Sequence, residues 1–179
     1  MENTSKRLKF LTTSGILNII DAVLCIALFL SFYLCIKTGA IAGKIEGLEG
    51  LGFAIVLVIF LPFALACYIP IGIHAIYKII FGVLALVNSS KVKKGGELRF
   101  GKGLFTANVI LRIIVIIMLA IEIFLTYSIF DAGNNVLLGI IFSAGAVIVL
   151  AVQIVTMVFD GKAKRERKEY LATCDEISA

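Results

Sequence analysis

Residues 104–130 read LFTANVILRIIVIIMLAIEIFLTYSIF, an apolar run long enough to cross a membrane that nevertheless holds Arg112 and Glu122. A hydrocarbon core about 30 Å thick is spanned by about 20 helical residues, and a charged group inside it is costly enough to need a reason. At helical spacing Asn108, Arg112, Val115, Leu119, Glu122 and Thr126 fall on one stripe in steps of three and four, and the other faces are Ile, Leu, Val and Met. The stripe is therefore expected to face protein rather than lipid.

Three further apolar runs accompany it, at residues 10–36, 51–87 and 136–159. Hydrophobic residues make up 60% of the 179 and charged residues 16%, with a mean hydropathy of +1.06. This lies outside the globular mixture. The expectation is an all-α integral membrane protein, a single domain over residues 1–179 with four transmembrane helices and no room for a separate soluble domain. A secretory signal also begins with basic residues and an apolar run, and Ala40-Ile41-Ala42 offers a small-residue cleavage pattern. The run 10–36 exceeds the about 7–15 residues of a signal core, however, so it is read as the first crossing.

The second run holds both prolines of the chain, Pro62 and Pro70. Each removes a backbone donor, and Gly72 adds freedom, which predicts a kinked second helix with the bend near residues 66–72. The run is also longer than one crossing needs, so it is tilted or its last part lies along the surface. Between the first two runs, Gly39, Gly43, Gly47 and Gly50 argue against a stable helix over 37–50. Asp131 to Asn135 is too short for anything but a return, making the third and fourth helices an antiparallel hairpin. Gly139, Ser143 and Ala146 on one side of the fourth helix allow close helix contact.

Basic residues cluster at Lys6, Arg7 and Lys9, at Lys91, Lys93, Lys94, Arg99 and Lys102, and at Lys162, Lys164, Arg165, Arg167 and Lys168. The other two connections hold only Lys37 and Lys44. The positive-inside rule then gives cytoplasmic N and C termini in a multi-pass cell-membrane protein, and residues 160–179 read as a basic cytoplasmic tail, solvated or surface-attached. This placement accounts for the net charge of +5 without nucleic acid as a partner.

Residues 96–103, Gly-Glu-Leu-Arg-Phe-Gly-Lys-Gly, come one residue from a nucleotide-binding P-loop, with glycine where the magnesium-binding Ser or Thr belongs. A P-loop needs a strand feeding it, and the chain has no room for a sheet. The segment is instead read as a basic turn in which Lys91, Lys93, Lys94, Arg99 and Lys102 meet anionic lipid headgroups. Ser143 and His74 fall in opposite halves of their helices, too far apart for a nucleophile and its base, and a single histidine with unpaired cysteine spacings makes no metal motif. No catalytic residue, metal site or cofactor is predicted, and the chain is read as a non-enzyme.

The candidate site is an intramembrane polar cluster of Asn18, Asp21, His74, Asn108, Arg112 and Gln153, to which every helix contributes. A rise of about 1.5 Å per residue puts Asp21 and Arg112 at similar depth, so the two are expected to form an ion pair that fixes helix register. Glu122 lies nearer the outside and is expected to reach the interface or to meet Lys37 or Lys44. Three functions are carried forward. The first is a small non-enzymatic accessory or interaction protein in the lipid bilayer, packing with a partner membrane protein or a second copy of itself. The others are a small-solute or ion transporter using the cluster, and an anionic-lipid-interacting protein using the basic loop.

Overall fold

A computed structural model describes residues 8–37, 48–132 and 135–178. Four helices account for nearly all of them: α1 (Lys9–Lys37), α2 (Leu48–Lys93), α3 (Lys102–Ala132) and α4 (Val136–Ser178). Each is long and apolar enough to cross a membrane. The protein is an all-α, four-helix integral membrane protein, as the four runs predict.

The helices stand at the corners of a square. α1 packs on α2 and α4, α3 packs on α2 and α4, and among the described residues the diagonal pairs make no close backbone approach. Neighbours run antiparallel, as the pairing of Ser14 with Asp160, and of Phe32 with Phe142, shows for α1 and α4. α1 and α2 approach most closely where two glycines face each other. A Cβ on Gly82 would lie 2.7 Å from the Gly15 carbonyl oxygen, and one on Gly15 would lie 3.0 Å from that of Gly82. At the α3–α4 return the Asn135 amide donates to the Phe130 carbonyl at 2.8 Å, and Gly139 lets α4 pass close to the Phe130 side chain.

The bundle is apolar on its outer faces, and its interior combines a polar stripe with two apolar cores. Val58, Ile69, Phe124 and Leu137 are each more than 60% exposed, which in a bilayer is contact with lipid. The stripe Asn108, Arg112, Val115, Leu119, Glu122 and Thr126 is buried throughout. A central apolar core gathers Ala22, Phe32, Ile71, Leu119, Ile129 and Phe142. A second core lies at the basic end, where Phe81, Phe100 and Phe105 pack edge to face at centroid distances of 5.1 to 5.3 Å.

α2 is one helix through Pro62 and Pro70 to Lys93, and its last part packs on α1, through Gly82 against Gly15 and Ser89 against Thr12, rather than lying along the surface. It ends on Gly95, in the left-handed region at φ 82°, with the Gly96 amide on the Lys91 carbonyl and the Gly95 amide on that of Val92, the bonding pattern of a Schellman cap. The basic tail is a helical extension whose first turns also pack on the bundle. α4 continues unbroken through it, Ala163 is fully buried in the second core, and Glu166 accepts from the amides of Phe10 at 3.3 Å and Leu11 at 2.9 Å. Those amides open α1 and have no intrahelical partner of their own, so one helix caps the other. Of the glycine-rich link over 37–50, residues 38–47 lie outside the described part, and α2 begins at Leu48.

Candidate functional site

All six residues of the sequence-derived cluster are fully buried. Asn18 and Asp21 lie one turn apart on α1, and Asn108 and Arg112 on α3, so each helix turns a short polar ladder inward. The expected Asp21–Arg112 pair does not form. α1 and α3 are diagonal, and each charge finds its partner on an adjacent helix instead. Asp21 Oδ2 lies 2.6 Å from Lys78 Nζ on α2, and Arg112 Nη2 lies 2.9 Å from Asp160 Oδ2 on α4.

Among the described residues, Asp160 is the most heavily used buried side-chain acceptor. Its Oδ1 accepts from Ser14 Oγ and from Asn18 Nδ2 at 2.8 Å, and its Oδ2 accepts from Asn108 Nδ2 at 2.7 Å as well as from Arg112. The Arg112 fork spans the bundle: Nη1 donates to the Gln153 carbonyl oxygen at 2.8 Å, while Nη2 also reaches Asn18 Oδ1 at 2.9 Å. Cys25 joins the two ion pairs, donating to Asp21 Oδ1 at 3.9 Å and accepting from Gln153 Nε2 at 3.6 Å. Two anions and two cations thus form one neutral network. Pairing and hydrogen bonding offset most of the desolvation that any of these charges alone would suffer.

His74, one turn before Lys78 on α2, is fully buried, yet neither ring nitrogen has a hydrogen-bond partner among the described residues. Gln153 Oε1, Asn108 Oδ1 and Arg112 Nε are likewise unpartnered there.

A second, smaller polar site lies farther from the basic end. Glu122 is only 1% exposed, so it does not reach the interface, and it meets neither lysine proposed for it: Lys37 is exposed and Lys44 lies outside the described residues. Its Oε1 accepts from Thr126 Oγ1 at 2.7 Å, and the Tyr68 side chain approaches the same carboxyl from α2. Oε2 has no hydrogen-bond partner, and no cation pairs with Glu122 among the described residues.

At the surface, Lys91, Lys93, Lys94 and Arg99 are exposed; the Lys102 side chain lies outside the described part. The connection they sit on is tied down. Asn88 Oδ1 accepts from the Arg99 amide at 3.1 Å, and Arg167 Nε donates to the Phe100 carbonyl. Residues 96–101 form neither strand nor helix, so the P-loop likeness has no sheet behind it.

Sequence reasoning missed Lys78, Asp160 and Ser14. The signal was present in the spacing. Lys78 follows His74 by four residues, Asp160 follows Gln153 by seven, and Ser14 precedes Asn18 by four, so each continues a ladder already identified.

Fold and interior together define a multi-pass α-helical membrane protein held by a neutral, ion-paired polar core. No family model, curated protein or solved structure matches the chain.

Proposed function

We propose that this protein is a non-enzymatic accessory or interaction protein of the cell membrane, with both termini cytoplasmic, and that its intramembrane network acts as a structural clamp. The observation that carries this reading is the sealing of the charges. Asp21, Lys78 and Arg112 are fully buried and Asp160 is 2% exposed, and all four are matched in two ion pairs. Charges arranged for transport need a route to solution and a reason to exchange partners; charges arranged as a clamp need neither. The outward faces, rich in Ile, Leu and Val, are then the surfaces on which a partner subunit or a second copy packs.

The experiment is to purify Asp21→Leu, Lys78→Met and the double variant, and to reconstitute whichever of them fold. The clamp reading expects loss of folded yield in each single variant, recovery in the double, and no effect of the recovered double on ion or solute permeability of the vesicles. It fails if the parent drives proton-coupled flux that the folded double variant lacks. A transport reading stays in view because neither His74 nitrogen has a hydrogen-bond partner among the described residues, and that flux measurement decides between the two.

A further inference from the structure

Just past Asp160, α4 turns a basic face outward. Gly161, Lys164, Arg165 and Lys168 are exposed and recur in steps of three and four, so they share one side of the helix. Beside them runs a groove of about 350 Å³, lined by these four and Arg167, all basic except the glycine. Gly161 leaves its floor open, since an added Cβ there would meet nothing within 4 Å. In the other direction the same side of α4 continues through Met157, Ile154 and Val147, all exposed, which in a bilayer lie against acyl chains. One strip of α4 therefore changes from apolar to basic at Gly161. That residue stands about 37 Å along the helix from Val136, which puts the change just past a hydrocarbon core about 30 Å thick.

We infer that this strip holds one anionic phospholipid, its acyl chain along Ile154 and Met157, its phosphate over Gly161 and its headgroup among Lys164, Arg165 and Lys168. Charge and depth together select that occupant. A soluble anion would use the basic part and leave the apolar part bare, and a neutral lipid would do the reverse. The Arg165 guanidinium matches phosphate with a planar fork, and the two lysines add point charge. The neighbouring acids leave the groove free. Glu166 is occupied by the amides of Phe10 and Leu11. Glu169 pairs with Arg165 at 3.0 Å, but the side chains are 67% and 84% exposed, and so exposed a pair is weak enough to exchange for phosphate. Arg167 is held on the Phe100 carbonyl and anchors the turn behind the groove. The strip is a different surface from Lys91, Lys93 and Lys94 at the end of α2, whose reading as headgroup contacts rests on charge alone.

The test titrates the full chain in detergent with dioleoylphosphatidylglycerol, dioleoylphosphatidylcholine or glycerol phosphate, and counts bound molecules by native mass spectrometry. The expected result is saturable retention of one phosphatidylglycerol per chain, with the neutral lipid and the chain-free headgroup each at least about tenfold weaker. Neutralising Lys164, Arg165 and Lys168 together to Gln should weaken phosphatidylglycerol on the order of a hundredfold. Gly161→Phe, which fills the groove without changing charge, should weaken it about tenfold or more. Neutralising Lys91, Lys93 and Lys94 should leave the tight site in place. Equal retention of the two lipids overturns the inference, and glycerol phosphate binding as tightly as the lipid makes the groove a site for a soluble anion instead. Undiminished binding in Gly161→Phe, or equal loss in the two triple variants, reduces the effect to diffuse charge and overturns it as well. The triple variants alter exposed side chains only, so their comparison decides the matter even if Gly161→Phe does not fold.

Discussion

Lys78 Nζ lies 2.6 Å from Asp21 Oδ2, and neither side chain has any exposure. This ion pair between adjacent helices replaces the diagonal pair that depth alone suggests. Removing one member leaves the other charged and uncompensated in a medium that cannot solvate it. Asp21→Leu or Lys78→Met alone should therefore cost about 3–5 kcal/mol, and the double variant should be close to the parent. Thermal unfolding in detergent of the three variants measures this; equal loss in the double and single variants would show that packing, not charge, is at stake.

Asp160 is reached by four side chains from α1 and α3. Asp160→Ala strands Arg112 and leaves Ser14, Asn18 and Asn108 without their acceptor. It should be the most damaging single change in the network, costing at least about 3–5 kcal/mol. Arg112→Lys should not be a mild change either, because one ammonium cannot reach the Gln153 carbonyl, Asn18 and Asp160 together. Folded yield after extraction, set against Asp21→Leu, gives the ranking; an Asp160→Ala protein as stable as the parent would contradict it.

Gly82 and Gly15 set the α1–α2 distance. A methyl at Gly82 would clash with the backbone of α1, which cannot move as a side chain can, so Gly82→Ala should destabilise by about 1–3 kcal/mol. Gly72→Ala, on the same helix but facing open space, should instead gain about 0.5–1 kcal/mol from helix propensity. Opposite signs in the same unfolding assay are the expected outcome.

Glu166 supplies the acceptor for the first amides of α1. Glu166→Ala should cost about 0.5–2 kcal/mol, the usual range for a lost helix cap. The effect is local. Hydrogen exchange should accelerate at the amides of Phe10 and Leu11 and leave those around Phe32 unchanged.

The spans and their inward faces were legible in the sequence because both follow from local rules. Run length marks a crossing, and three-four spacing marks the face that carries Arg112 and Glu122. The choice of partners was not legible, because it depends on the order of helices around the square. With α3 placed diagonally to α1, Asp21 turns to α2, and Arg112 turns to Asp160, a residue whose basic neighbours disguised it as the start of a tail. Lys78 was hidden by the opposite context, an apolar run in which a lone lysine reads as an interruption.

α4 is one helix of 43 residues, about 64 Å at a rise of about 1.5 Å each, or roughly twice the thickness of the hydrocarbon core. Its turns past Asp160 stay tied to the bundle: Ala163 sits in the second core, Glu166 holds the first amides of α1 and Arg167 holds the Phe100 carbonyl. The helix therefore works as a splint, binding the start of α1 and the connection between α2 and α3 to one rod.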